Sequence, residues 1–214
     1  MNKIEIKNLI NKSNPIIFEI GCADGIDTRE FINVFGGLAT FYCFEPDDRN
    51  SDIFKNGGYR PIDPSFTNGI NNDNVIFENK AIGNVDGIVE FNQSSTIYSS
   101  SLKKPTDELF REWPVITFDK ILKVECVKLD TYVKDKNIEI IDFIWADVQG
   151  AEDLMILGGK ETFKNKVRFL YSEYANKEYY ESSPNQNAIL KLLGDDWEII
   201  QDFGTDVLLR NKTL

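Results

Sequence analysis

Short apolar runs, separated by segments with helical patterning, are the feature of this sequence that most constrains its fold. Each run is rich in β-branched and aromatic residues and is followed by glycine or an acidic residue, which is typical of buried strands. Such strands, when they alternate with helices, indicate a parallel sheet that is covered on both faces. The predicted strands of this kind are Ile16–Ile20, Thr40–Phe44, 75–82, 140–146 and 167–172.

The segments between and after these strands complete the pattern. Two late apolar runs flank a turn at Phe203, Gly204 and Thr205 and predict a closing hairpin. We therefore predict a doubly wound α/β fold, with a mostly parallel Rossmann-like sheet and an antiparallel edge strand. The predicted helices are 29–35, with Asp27 and Thr28 as its cap, 130–136, 150–157 and 184–193, and the hairpin strands are 197–201 and 207–210.

The middle of the chain has weaker sequence signals for secondary structure. The polar segment 47–74, rich in turn residues, is predicted to be mostly loop, and 94–101 is a serine-rich loop. Residues 87–91 are predicted to form a hairpin with the 75–82 strand, and 115–129 to contain a further strand. A length of 214 residues suits one domain, with a short N-terminal segment 1–14 and a core over 15–214.

Composition excludes several classes of protein. The chain has 24 Lys plus Arg against 35 Asp plus Glu, a net charge of −11, and such a field repels nucleic acids. No apolar stretch has the length of a membrane span, and the N-terminus lacks a secretory signal, so we expect no membrane segment and a cytoplasmic location. Three cysteines without a paired motif predict neither a disulfide framework nor a zinc site.

The absence of histidine restricts the chemistry further. It removes the commonest general base and the commonest nitrogen ligand for metals. Hydrolases that use Ser-His-Asp or Cys-His arrangements are therefore excluded. Any proton transfer must use a carboxylate, Lys, Tyr, Cys or water.

The loop after the first strand predicts a cofactor site. It carries Glu19, Gly21, Cys22, Ala23, Asp24, Gly25 and Asp27 between a strand and a helix, where small residues allow a sharp turn beneath a ligand. The spacing departs from the G-x-G-x-x-G pattern of dinucleotide sites. The acidic side chains would oppose a pyrophosphate but stabilise a cation, so the sulfonium and ammonium of S-adenosylmethionine fit better than NAD.

The end of the second strand supports the same cofactor. Glu45, followed by Pro46, has the position from which a carboxylate accepts hydrogen bonds from both ribose hydroxyls. An ordinary tight turn remains the alternative for Gly21 and Gly25, and helix capping for Asp27.

The sequence resembles the FkbM family of S-adenosylmethionine-dependent methyltransferases over about residues 15–175. The resemblance lies in FEIGCADGIDT at 18–28, FEPD at 44–47, and KLDTYV followed by IDFIWADVQGAE. It implies that the first loop holds the methionine part of the cofactor, Glu45 the ribose, and residues near Asn79 and Ala81 the adenine. It also implies methylation of hydroxyl groups, often on sugars or natural products. The sequence departs from the family at Trp145, where Lys is common, and at Gln149, where Glu is common, and we expect both beside the acceptor pocket.

Three carboxylates are candidates for the catalytic base. Methyl transfer to a hydroxyl requires an aligned acceptor and a group that removes its proton. Asp147, directly after a buried strand, is the first candidate, with Glu173 and Glu152 as alternates. A helix-capping role for Asp147, a helix-dipole role for Glu152 and a solvated strand end for Glu173 remain open. Mg²⁺ bound by the three carboxylates is a further, less favoured alternative.

The predicted function is S-adenosylmethionine-dependent O-methylation of a small-molecule or glycan acceptor. Tyr171, Tyr174, Tyr179 and Tyr180 are candidates for an acceptor surface, and Trp113 with residues 99–101 for part of a lid. An NAD(P)-type oxidoreductase and a catalytically silent cofactor-binding protein are the alternatives. The acceptor's identity, O- against N-methylation and the oligomeric state stay open.

Overall fold

The computed structural model describes residues 1–58, 67–174 and 176–214. Its main element is a seven-stranded sheet, and a separate three-stranded sheet lies beside it. The strands are β1 Ile16–Ile20, β2 Thr40–Phe44, β3 Val75–Glu78, β4 Ala81–Gly83, β5 Gly87–Gln93, β6 Lys120–Lys128, β7 Phe143–Ala146, β8 Phe169–Glu173, β9 Trp197–Asp202 and β10 Asp206–Asn211. The helices are α1 Lys3–Ile10, α2 Ile26–Phe35, α3 Asp48–Asn56, α4 Asp107–Glu112, α5 Leu129–Asp135, α6 Glu152–Gly158, α7 Lys160–Asn165 and α8 Gln186–Leu193.

The main sheet confirms the predicted fold class. Its order is β3-β2-β1-β7-β8-β10-β9, and β1 pairs in parallel with both β2 and β7. The strand order therefore reverses at β1, and the carboxyl ends of β1, β2 and β7 meet at a crevice where doubly wound folds bind ligands. At the far edge β10 runs antiparallel to β8 and to β9, which is the predicted closing hairpin.

Helices cover both faces of this sheet, which explains why its strands are apolar throughout. Ile17 of β1 packs among α1 and α2, while Phe18 packs among α5 to α8. Successive side chains of a strand point to opposite faces, so each residue of a doubly covered strand needs an apolar neighbour. The continuous apolar runs follow from this arrangement.

The predicted strand 75–82 is wrong as a single element. The structure divides it into β3, which joins the main sheet, and β4, which joins the smaller one. The turn between them is closed by a hydrogen bond from the Lys80 backbone nitrogen to the Glu78 carbonyl oxygen. The predicted hairpin with 87–91 is wrong as well, because β5 pairs with β6, which lies between β4 and β5.

Several helix starts also differ from the sequence prediction. Helix α2 begins at Ile26 with Gly25 as its N-cap, so Asp27 lies inside the first turn, where its carboxylate pairs with Lys3. Part of the predicted loop 47–74 is helix α3, whose cap is the Asp47 side chain, and residues 59–66 of that loop lie outside the described residues. Helix α6 begins at Glu152 instead of residue 150.

Candidate active site

A close approach between two loops forms the floor of the crevice. Gly21, which follows β1, has φ of 87°, and a Cβ built on it would lie 1.9 Å from the backbone oxygen of Asp147. Only glycine combines this left-handed conformation with the available space. The Asp147 backbone nitrogen in turn donates to the Ile20 carbonyl oxygen at 3.0 Å. The predicted cofactor loop and the first catalytic candidate are thus in contact.

A first cavity, of about 90 Å³, opens above this floor. Its lining combines apolar side chains with residues of the first loop and with polar side chains. Its lining residues are Ile20, Gly21, Ala23, Phe44, Glu45, Pro46, Asn50, Lys80, Ala81, Ile82, Phe91, Ile97, Tyr98, Ser100, Leu102, Asp147, Val148 and Gln149.

Glu45 lies buried at the side of this cavity. Its Oε2 accepts a hydrogen bond from the Ala23 backbone nitrogen at 3.0 Å, and its Oε1 accepts one from the Asp47 backbone nitrogen at 2.7 Å. Burial raises the pKa of Glu45 to about 8, and the charge of Asp47 adds to this rise. Each carboxylate oxygen has a second lone pair, with which it can accept a further hydrogen bond.

Several predicted cofactor residues do not line the first cavity. Glu19 accepts a hydrogen bond from the Thr28 hydroxyl at 2.6 Å, and burial together with the charge of Asp27 raises its pKa to about 8. Asp24 accepts one from the Tyr98 hydroxyl at 2.8 Å. The others absent from the lining are Cys22, Gly25, Asp27 and Asn79, whose amide donates to the Glu45 carbonyl oxygen at 2.9 Å.

A second cavity, of about 580 Å³, adjoins the first and shares Tyr98 and Gln149 with it. Aromatic rings form much of its wall, and Trp113 and Tyr179 lie with ring centroids 4.7 Å apart. Glu152 and Glu173 bring acidic groups to the same space. The remaining lining residues are Ser99, Leu109, Ile116, Gly150, Tyr174, Asn176, Lys177, Tyr180 and Thr205.

Asp147 lines the first cavity and Glu173 lines the second, and the side-chain amide of Gln149, which lines both cavities, joins them. The Gln149 Nε2 donates to the Asp147 Oδ1 at 2.7 Å and to the Glu173 Oε2 at 3.3 Å. Asp147 is accessible from the open cleft, yet the protein atoms around it displace water and raise its pKa. Burial, followed by the charges of Asp147 and Glu152, raises the pKa of Glu173 well above its ordinary value.

Glu152 is buried at the start of α6 and lines the second cavity. Its Oε1 accepts hydrogen bonds from the backbone nitrogens of Val148 and Gly150, at 3.3 and 3.4 Å. Burial raises the pKa of Glu152 to about 7. Among the described residues, no group of three or more His, Cys, Asp or Glu side chains is arranged to hold a metal ion.

The position of Trp145 differs from the expectation that both residues that depart from the family pattern lie beside the acceptor pocket. Its ring stacks on Tyr171, with centroids 4.2 Å apart, and the Lys3 ammonium lies 3.1 Å from the ring centre. Trp145 therefore belongs to the packing of α1 and α2 against the sheet and lines neither of the cavities described above. Gln149, by contrast, lines both cavities.

Sequence reasoning missed several residues of the site. Asn50 lines the first cavity, and its Oδ1 is buried without a hydrogen-bond partner among the described residues. It comes from α3, in a segment predicted as loop, so no periodicity pointed to it. Tyr98 was placed in a serine-rich loop without a role, although an aromatic residue among serines was an available signal.

Comparison with known proteins agrees with this architecture. The family model described as "Methyltransferase FkbM domain" matches residues 19–204. The 2-O-methyltransferase NoeI of Sinorhizobium fredii is 36% identical over 98% of this chain and 85% of its own length. The structure of a methyltransferase FkbM from Methylobacillus flagellatus aligns with a TM-score of 0.54 at 15% identity over 92% of this chain. The chain spans 44% of that protein's length, and this likeness concerns the fold alone.

No helix in the described ranges has the length and hydrophobicity needed to cross a bilayer.

The match to the family model covers most of the chain, and the NoeI relative extends over nearly all of it. A methyltransferase family implies S-adenosylmethionine as the methyl donor and disfavours the oxidoreductase alternative. The chain belongs to the FkbM family of methyltransferases.

Proposed function

We propose that this protein uses S-adenosylmethionine to methylate a hydroxyl group on a sugar or a small natural-product-like acceptor. The observation that carries the proposal is the pair of adjoining cavities that share Tyr98 and Gln149, with Asp147 in the lining of the first. The polar lining of the first cavity suits the cofactor, although at about 90 Å³ this cavity must widen to admit the whole molecule, and the second cavity suits the acceptor. The 2-O-methyltransferase NoeI, a relative along nearly the whole chain, supports a hydroxyl acceptor.

The first cavity has the donors and acceptors that the cofactor requires. Glu45 would accept hydrogen bonds from the ribose hydroxyls, and the unpartnered Asn50 Oδ1 is a further acceptor for a ligand N–H or O–H. The backbone of Gly21 and Ala23 would lie against the methionine part, with Pro46 and Ala81 beside the nucleoside. Behind this lining, Glu19, Cys22, Asp24, Gly25, Asp27 and Asn79 would fix the shape and charge of the loop.

The second cavity has the character of an acceptor site. Its volume lies within the range of pockets for small ligands, about 300–1,000 Å³. The rings of Trp113 and Tyr179 offer flat apolar surfaces for the C–H faces of a sugar, while carboxyl groups accept from its hydroxyls. Tyr174 and Tyr180 also line this cavity, whereas Tyr171 does not.

Bound S-adenosylmethionine supplies a methyl group that is already activated by the sulfonium. Asp147 is the proposed base, whose carboxylate would receive the proton of the acceptor hydroxyl as that oxygen takes up the methyl group from the sulfonium. Glu173 and Glu152 are the alternates. The raised pKa of Asp147 makes its carboxylate a stronger base than an ordinary aspartate. The proton transfer needs only a carboxylate, so the proposed mechanism includes no metal ion.

Calorimetric titration with S-adenosylmethionine and S-adenosylhomocysteine, with NAD as the control, tests the cofactor. Micromolar binding of the first two, about 8 kcal/mol, is expected, and binding of NAD alone would contradict the proposal. The acceptor is tested with methyl glycosides, each matched to its 2-deoxy and 2-amino counterparts. Methyl transfer to the glycoside but not to the 2-deoxy sugar supports O-methylation at that position. Transfer only to the amine would show N-methylation instead.

A further inference from the structure

Gln149 connects groups from several elements around the acceptor cavity. Its Nε2 bridges Asp147 and Glu173, as described above. Its Oε1 lies 3.1 Å from the hydroxyl of Tyr180, which also donates to the Ser99 carbonyl oxygen at 2.7 Å. The Gln149 carbonyl oxygen accepts a hydrogen bond from the Ser101 hydroxyl at 2.7 Å. Both ends of the amide and the backbone are therefore held.

The backbone conformation at Gln149 directs its side chain towards the place where the two cavities adjoin. Gln149 has φ of 53° and Gly150 has φ of 85°, so two successive residues adopt left-handed conformations. A Cβ on Gly150 would lie 3.0 Å from the Cβ of Tyr180 and 3.1 Å from that of Ser183, so the turn packs closely against the segment beyond β8. A non-glycine residue with positive φ carries a conformational cost, which the surrounding contacts must offset.

The two bridged carboxyl groups cannot both be ionised without a large repulsion. Further acidic groups act on them from other elements: Glu152 from α6, Asp206 from β10 and Asp27 from α2. The tyrosines that face the pair are Tyr171 and Tyr180. Two carboxyl groups in such an environment share one proton, and the pair titrates as a unit.

We infer that Gln149 is a positioning residue that holds Asp147 and Glu173 together as a pair with one shared proton. Glu173 carries that proton, and Asp147 keeps the negative charge with which it receives the proton of the acceptor hydroxyl. This inference rests on the proposed function for its catalytic part. The neutral amide is suited to this place because it donates to both carboxyl groups without adding a charge.

Two substitutions at Gln149 distinguish the effect of a changed side-chain charge from the effect of a changed side-chain length. Gln149→Glu keeps the size of the side chain but replaces the donor with a third carboxylate. Gln149→Asn keeps a neutral amide and tolerates the left-handed backbone, but it is one methylene shorter and cannot bridge the pair. Gln201→Glu, at an exposed position of β9, adds the same charge away from the cleft and serves as the matched control.

The first readout is the pH dependence of kcat. Gln149→Asn is expected to lower kcat about tenfold or more, since the base is misplaced, whereas Gln149→Glu, which introduces the residue that is common in the family, lowers the maximal kcat less. Gln149→Glu also moves the acid limb of the profile upward by about one pH unit. Gln201→Glu retains the wild-type profile.

The second readout uses the ligand-free protein and is independent of turnover. Carboxyl ¹³C resonances of labelled Glu are followed against pH, with Glu173 assigned by the signal that Glu173→Gln removes. We expect Gln149→Asn to lower the pKa of Glu173, because the pair separates, and Gln149→Glu to raise it. A merely structural role would not give shifts in opposite directions.

Unchanged Glu173 titration in both variants, with an active wild-type enzyme, would overturn the inference and leave the proposed function standing. The same shifts in a wild-type protein that transfers no methyl group would support the carboxyl pair and refute the proposed function.

Discussion

The Ala23 backbone N–H donates to the Glu45 carboxylate, over a nitrogen–oxygen distance of 3.0 Å, and thereby links the loop after β1 to the end of β2. The second oxygen of Glu45 accepts from the Asp47 backbone nitrogen. The Glu45 side chain thus fixes the loop after β1 that borders the first cavity. Its remaining lone pairs can accept hydrogen bonds from a ligand.

Glu45→Gln is expected to weaken S-adenosylmethionine binding about 10- to 100-fold. The amide cannot accept from both backbone nitrogens, and a neutral acceptor binds hydroxyls less strongly than a carboxylate. Calorimetry of the variant measures the loss. Glu198→Gln, on the surface beside Arg210, is the control and should leave the affinity unchanged. Equal affinities for all three proteins would remove Glu45 from the cofactor site.

Cofactor binding is expected to release a proton from Glu45 below about pH 8. In the ligand-free protein the pKa of Glu45 is about 8, so the group is mostly neutral at pH 7, while ribose hydroxyls favour the ionised form. The affinity should therefore rise between pH 6 and pH 9. Titrations in buffers of different ionisation enthalpy count the proton directly, and the release should vanish in Glu45→Gln.

Glu152→Gln is expected to stabilise the protein at high pH. The pKa of Glu152 is raised from 4.5 to about 7, so its contribution to stability is fully present below pH 4.5 and is lost as the pH rises through 7. At pH 8 the variant should exceed the wild type by up to about 3 kcal/mol, and at pH 4 by much less. Urea unfolding at both pH values checks this, with the exposed Glu139→Gln as control. An equal effect at both pH values would contradict the prediction.

Gly21→Ala is expected to destabilise the fold and abolish methyl transfer. The new Cβ would collide with the Asp147 backbone and displace the proposed base. Gly194→Ala is the matched control, because Gly194 has the same φ of 87° but no atom within 4 Å of the added Cβ. The control should lose about 1–2 kcal/mol from backbone strain alone. If the two variants lost equal stability under urea, the close approach would have no energetic role.

Trp145→Leu is expected to reduce stability while leaving the cofactor affinity unchanged. The substitution removes the stack on Tyr171 and the contact with the Lys3 ammonium, at a cost of about 2 kcal/mol. The ring lines neither described cavity, so the dissociation constant of S-adenosylmethionine should stay within about twofold. A large loss of affinity in a variant that is still well folded would show that Trp145 acts on the site.

Local patterns were sufficient for the strands of the main sheet other than β3, and for the end of the sheet where the site lies. The runs at β1 and β2 were predicted with their exact bounds, because a strand buried on both faces must be apolar at every position. The residues that follow such strands, Gly21, Glu45 and Asp147, were identified from this same rule. The division of 75–82 into β3 and β4 was not predictable, since both halves have the same strand pattern and only their partners differ.

The sequence by itself determined the fold class, the family and the set of polar residues at the carboxyl ends of the strands, since these follow from hydrophobic periodicity and short motifs. Only the tertiary structure decided which of them face a cavity. It turned Glu19 and Asp27 towards Thr28 and Lys3, brought Asn50 and Tyr98 to the lining, and set Gln149 between Asp147 and Glu173. The reason is physical: side-chain direction and partners depend on contacts between residues that are distant in the chain, and no local pattern contains them.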